Sequence, residues 1–120
     1  MLIDDQDINN TFHEWVIKKN NAAENIISKE SGLEGLDYLT NPQNPKPDLI
    51  FLDINMPGMS GWEFLEEYQK NVTGNSVVVM LTSSDDPKDI ALAKNYPALS
   101  DFKTKPLTKE ILSDIMEKYF

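Results

Sequence analysis

At 120 residues, with 40% apolar and 26% charged side chains, the chain is long enough for one domain with a real core and too short for two. It has no cysteine, which removes disulfide frameworks, thiolate zinc sites and cysteine nucleophiles together, and its longest apolar run, Val77–Leu81, is too short for a membrane span or a signal peptide. Twenty acids against eleven bases, all of them lysine, leave a net charge of −9; this argues against nucleic-acid binding and for a cytoplasmic domain.

Short apolar runs alternate with segments of helical period. Leu2-Ile3 leads into the acidic group Asp4-Asp5-Gln6-Asp7, and Ile8, Phe12, Trp15 and Val16 then recur at helical spacing with Asp7 placed to cap the start. Only Met1-Leu2-Ile3 precede Asp4, a short run for a central strand, which leaves room for native residues missing ahead of it. Glu24–Ser28, with Ile26-Ile27, is a short strand candidate. Ser31-x-x-Glu34 has capping-box spacing and opens a helix with Leu33, Leu36 and Leu39 on one face. The three prolines of Asn41–Pro47 make an extended connector.

Leu49–Leu52 is unbroken apolar sequence, the pattern of a strand buried on both faces. Met56–Gly61 must turn, and Ser60-x-x-Glu63 opens a helix carrying Phe64, Leu65 and Tyr68. Val77–Leu81 is a second buried strand. Asp85-Asp86 is another acidic group, and Asp86 with Pro87 gives an N-cap followed by proline at the first helical position, leading through Ile90 and Ala93. A short strand near Ser100–Lys103 and a helix with Ile111, Leu112, Ile115 and Tyr119 complete the chain.

Five strand–helix alternations around apolar central strands predict an α/β fold: a doubly wound parallel sheet with helices on both faces. In such sheets the ligand crevice lies beyond the carboxyl ends of the strands. Asp4-Asp5 follow the first strand, Asp53 ends the third, Thr82 ends the fourth and Lys105 follows the fifth, so all should meet at one end of the sheet. Three carboxylates in one crevice repel unless some protonate or a cation joins them, and an all-oxygen ligand set suits a hard ion such as Mg²⁺. A carboxylate at the edge of such a site is a nucleophile toward a phosphoryl group, and an ammonium and a hydroxyl would hold the remaining phosphoryl oxygens.

Across essentially its whole length the chain resembles the receiver domain of two-component response regulators, in particular single-domain, chemotaxis-regulator-like members. The resemblance rests on Asp4-Asp5, on the segment from Asp48 through Asp53-Ile-Asn-Met-Pro-Gly to Gly61, on Thr82-Ser83 and on Lys105-Pro106, in that order and on those elements. It implies a flavodoxin-like five-stranded sheet of order 2-1-3-4-5 over residues 1–120. It further implies Asp53 as phosphoacceptor, Asp5 and Asp53 as Mg²⁺ ligands with Asp4 acting at least through a bound water, and Asn55 adding its backbone carbonyl. Thr82 and Lys105 would contact the phosphoryl group, Lys105 would precede a cis peptide, and Phe102 would occupy the aromatic switch position. Asp101 departs from the glycine that many members carry there, and Phe102 lacks a tyrosine's hydroxyl.

The implied partners are a sensor histidine kinase or phosphotransfer protein as donor, docking over the first helix and the loop near Pro106, and a downstream output protein or missing effector domain. The chain would be a stand-alone receiver or a piece of a longer regulator or hybrid kinase. It would not be an enzyme beyond its own phosphorylation and dephosphorylation.

Plainer readings exist for the single residues. Asp4–Asp7 alone is a charged turn; as an EF-hand loop it fails, with Asn10 at the glycine position and Val16 at the glutamate position. His13 reads as a surface or half-buried histidine, and Trp15 and Trp62 as packing residues. A flavodoxin-type module would need a glycine- or hydroxyl-rich anion loop where the chain has Asp-Asp-Gln-Asp, and a Mg²⁺-dependent phosphatase would need a second acid where Asn55 stands.

Overall fold

The computed structural model describes residues 1–72, 74–83 and 86–120; Asp85, one of the predicted acidic pair, lies outside them. The chain runs β1 (Leu2–Ile3), α1 (Asp7–Lys19), β2 (Ser28–Lys29), α2 (Gly32–Thr40), β3 (Leu49–Leu52), α3 (Gly61–Asn71), β4 (Val77–Thr82), α4 (Pro87–Leu92), a 3-10 turn at Ala93–Asn95, β5 (Leu99–Thr104) and α5 (Lys109–Tyr119). The strands form one parallel sheet in the order β2-β1-β3-β4-β5. Among the described residues no helix is long and apolar enough to cross a membrane.

Strand alternation sorts the side chains into two cores. Ile3, Ile50, Leu52, Val78 and Met80 point to one face and pack with Leu36 and Leu39 of α2 and Phe64, Leu65 and Tyr68 of α3. Leu2, Phe51, Val79 and Leu81 point to the other and pack with Val16 and Ile17 of α1 and Leu112 and Ile115 of α5. Both faces of β3 and β4 are therefore apolar, which is why those strands read as unbroken runs. A register irregularity at Val78/Val79 skips Ser100 and pairs Val79 with Asp101 and Met80 with Phe102. This places Phe102 on the α3 side and Asp101 on the α5 side.

The helix boundaries follow local chemistry. Ser31 caps α2 by accepting from the Glu34 amide, Ser60 and Glu63 form a complete capping box on α3, and Asp86 caps α4 ahead of Pro87. The α1 start differs from expectation: Gln6 is the N-cap with no side-chain cap bond, and Asp7 is the first helical residue, where its charge faces the positive end of the helix dipole. β2 begins at Ser28, later than the predicted Glu24–Ser28, although Leu2 already donates to the Ile27 carbonyl at 2.7 Å.

The inward face of α1 is also different. Of the expected stripe Val16 alone is buried; Ile8 and Trp15 are 76% and 55% exposed and Phe12 is exposed beside them, while Asn10, His13 and Ile17 join Val16 on the inward face. Two stripes of this helix have helical spacing, and the sheet accepts the one with smaller and polar members. Leu33 is likewise exposed on α2, whereas Leu36 and Leu39 are buried.

Two substitutions measure this partition. Phe64→Ala, at a fully buried ring, is expected to cost about 3–5 kcal/mol by urea unfolding. Trp15→Ala removes a larger side chain, but an exposed one stacked on Phe12 and lying under the Lys19 ammonium, so the expected loss is below about 1 kcal/mol. Equal losses would mean that α1 presents its other face to the sheet.

Candidate functional site

Asp4, Asp53, Thr82 and Lys105 lie at or just past the end of a strand, where the sheet ladder still fixes the backbone. The Asp4 amide donates to the Lys29 carbonyl at 3.1 Å, the Asp53 amide to the Ile3 carbonyl at 3.0 Å, and the Lys105 amide to the Thr82 carbonyl at 2.8 Å. These rungs bring side chains from four strands to one edge. Carboxylate oxygens of Asp4, Asp5 and Asp53 lie within 4.8 Å of one another. The Lys105 ammonium sits 2.5 Å from Asp4 Oδ2 and 3.4 Å from Asp53 Oδ2. The Thr82 hydroxyl is hydrogen-bonded to Asp53, whose Oδ1 accepts from the Ile54 amide at 2.9 Å. Asp4 Oδ1 accepts from the Gln6 amide at 2.9 Å, turning the chain out of the sheet toward α1.

The loop beyond Asp53 is shaped by close approach. A Cβ on Gly61 would lie 2.4 Å from the Asp53 carbonyl oxygen, so any other residue at the head of α3 would push the carboxylate-bearing strand end away. The Gly61 amide closes the loop onto the Ile54 carbonyl at 2.8 Å, and Gly58 supplies the positive φ of 81° that the turn requires. Asn55 stands exposed on this loop. The Lys105–Pro106 peptide is cis.

Burial raises the Asp53 pKa above its ordinary value, opposed by the Lys105 charge, reinforced by the Asp4 charge, and opposed again by the bonds from Thr82 and Lys105. Repulsion among the acids, which the clustering predicts, is thus present but smaller than desolvation. His13, only 3% exposed beneath this edge, has its pKa lowered by burial first and by Lys105 second, with Asp4 acting the other way. The donor set is three carboxylates with no softer ligand, which fits a hard divalent cation.

The structure brings together Asp4, Asp5, Asp53, Thr82 and Lys105. Phe102 stands apart on β5 next to Met80, half-buried and packed against the α3-side core. Trp62 is half-buried, stacked on Tyr96, and its indole N–H donates to Asp89 at 3.4 Å. Three residues escape sequence reasoning. His13 and Asn10 are buried polar groups, which periodicity misses because it tracks apolar residues. Asp101, noted only as a departure from glycine, accepts from the Phe102 amide and the Tyr119 hydroxyl and faces the ammonium groups of Lys103 and Lys118.

Residues 1–117 match the family described as the response regulator receiver domain. Sporulation initiation phosphotransferase F of Bacillus subtilis is 34% identical over 89 residues, which are 74% of this chain and 68% of that protein. The sensor histidine kinase CheAY of Helicobacter pylori is 28% identical over 93 residues, 78% of this chain and 12% of that protein. The crystal structure of a two-component response regulator from Cytophaga hutchinsonii superimposes with a TM-score of 0.90 at 33% identity, covering 98% of this chain and 92% of that one. These likenesses support a phosphoacceptor switch and not a phosphatase or a flavodoxin-type module.

The Asp53 environment gives a stability test with a definite sign. A carboxyl whose folded pKa is raised costs nothing below its unfolded value of 3.8; the cost grows as pH climbs from there to the folded value and then stays constant. Asp53→Asn lacks that cost. In chelator at neutral pH it is therefore expected to melt above the unchanged chain, the gap closing as pH falls toward 3.8. A variant that melts lower at neutral pH would mean that Asp53 is stabilised as an anion by Lys105 and Thr82.

Proposed function

The chain belongs to the response regulator receiver family and works as a phosphoacceptor switch of two-component signalling, and we propose that Asp53 is its acceptor, that residues 1–120 form one receiver unit, and that the donor is a histidine kinase or phosphotransfer protein. The observation that carries this reading is the position of Asp53: a buried carboxylate at a strand end, flanked by two further acids and touched by one ammonium and one hydroxyl. No other described carboxylate has that set of neighbours.

In the transfer, a carboxylate oxygen of Asp53 forms an O–P bond as the donor's N–P bond breaks, the electron pair leaving with the donor imidazole. The bonds from Thr82 and Lys105 favour the anionic, nucleophilic form of Asp53 against the effect of burial. Asp4, Asp5 and Asp53 would hold Mg²⁺ together with the Asn55 carbonyl, Asp4 acting at least through a water; the bound ion supplies charge neutralisation for the gathered acids and the phosphoryl oxygens. Lys105 and Thr82 then turn to the phosphoryl oxygens. Thr82 moving toward the new group leaves room for Phe102 to turn inward, which changes the face of α4, β5 and α5 that an output protein or an effector domain reads. The phosphoryl group biases a two-state equilibrium by binding one state better. Slow self-catalysed hydrolysis resets it, so the domain is a switch and not a turnover enzyme. It works in the cytoplasm without direct contact to nucleic acid.

The donor docks beside the acidic loop, over α1 and the turn near Pro106. The exposed Ile8, Phe12 and Trp15 support this, since they give α1 an outward apolar ridge next to Asp4–Asp7.

With Mg²⁺ and a small acyl phosphate, intact-mass spectrometry is expected to show one added phosphoryl group on the chain, labile at alkaline pH, and none on Asp53→Ala. An adduct that persists in the variant moves the acceptor elsewhere. Docking is separable from chemistry. Phe12→Ala is expected to slow transfer from a phosphorylated donor protein about tenfold or more, as the loss of an interface anchor worth more than about 1.4 kcal/mol would, while labelling by acyl phosphate stays unchanged. Equal slowing of both reactions would place the effect of Phe12 in the fold.

A further inference from the structure

β1 has only two residues, so its ladder alone holds the acidic loop weakly, yet that loop carries two of the three clustered carboxylates. Asn10, one turn into α1 and 3% exposed, reaches back to this point. Its Nδ2 donates to the Asp4 carbonyl at 3.0 Å and to the Lys29 carbonyl at 3.2 Å, the latter also receiving the Asp4 amide. Among the described residues its Oδ1 is buried without a partner. A half-satisfied buried amide is costly, and an apolar residue on this inward stripe would avoid the cost. The two donated bonds are what the amide provides in return.

The Asp4 carbonyl belongs to the peptide plane that joins Asp4 to Asp5. Fixing that oxygen fixes ψ of Asp4 and the place of the Asp5 Cα; with the Gln6 amide held by Asp4 Oδ1 on the far side, the backbone of Asp5 is anchored at both ends, and so is the direction in which its side chain leaves relative to that of Asp4. The second bond, to Lys29, ties the same amide to the end of β2, so the plane is referenced to the sheet and not only to α1. We infer that Asn10 is a positioning residue for the cation site: it pins the peptide plane between Asp4 and Asp5 so that both carboxylates converge with Asp53. The inference rests on the reading of Asp4, Asp5 and Asp53 as that site. Outer groups that orient metal ligands typically change metal affinity by roughly 10- to 100-fold when removed.

The test is Mg²⁺ affinity, measured by isothermal titration calorimetry on the folded, unphosphorylated chain. Asn10→Leu keeps the branched shape and the number of side-chain heavy atoms, removes both donated bonds and also removes the unpartnered Oδ1. It is expected to weaken Mg²⁺ binding about tenfold or more, and Asn10→Ser, with one shorter donor, to fall between. Ile115→Val, a core change on the α5 face, serves as the stability control and is expected to lower the melting temperature with no change in Mg²⁺ affinity. Asn10→Leu that binds Mg²⁺ as well as the unchanged chain overturns the assignment, whatever its melting temperature. If the leucine variant does not fold, the serine variant decides by the same criterion, and failure of both to fold makes Asn10 a residue of the fold and overturns the assignment too. An unchanged chain with no Mg²⁺ affinity overturns the cation reading itself, which distinguishes that failure from a failure of Asn10 alone.

Discussion

The ammonium of Lys105 reaches two carboxylates that the sheet has already withdrawn from water. Asp4 and Asp53 are both buried, and burying two like charges side by side has no favourable outcome without a counter-charge. Lys105 supplies it from the far end of the chain, 101 residues from Asp4 in sequence. The arrangement therefore exists only when β5 has docked beside β4 and the Lys105 amide has bonded to the Thr82 carbonyl. Local sequence makes the acids; the closed parallel sheet makes them a site.

That dependence explains why so much of the surrounding structure serves backbone placement. Gly61 allows α3 to start against the Asp53 carbonyl, the Ser60–Glu63 capping box fixes where that helix begins, and the bulge at Val78/Val79 sets which β5 side chains face α3 and which face α5. Each device is small in energy, on the order of 1 kcal/mol for a cap. Together they fix where the strand ends that carry the site begin and stop.

Much of this was legible in the sequence. Leu49–Leu52 and Val77–Leu81 announce strands because both of their faces are buried, and Ser60-x-x-Glu63 announces a helix start because its two bonds are local. The convergence of Asp4, Asp5, Asp53, Thr82 and Lys105 followed from their places at strand ends. The inward face of α1 did not follow. Ile8, Phe12 and Trp15 make the more apolar stripe, and burial of the stripe holding Asn10 and His13 depends on polar partners at the sheet edge that no periodicity reports. Asp101 was visible only as an unusual residue; that it gathers Lys103, Lys118 and Tyr119 requires β5 and α5 to be placed side by side.

α4 differs from its neighbours in what holds it down. None of its six residues is buried, and Ile90 and Leu92 are exposed. Among the contacts around it are the Trp62 indole bond to Asp89 and, just beyond the helix, the stack of Trp62 on Tyr96. A segment that gives up almost no core packing when it shifts has an opening free energy far below that of the whole domain. Its occupancy of alternative positions is then governed by a handful of polar and aromatic contacts, each worth a fraction of the global stability. Such an element can shift at a cost set by those few contacts, without disturbing the sheet beneath it.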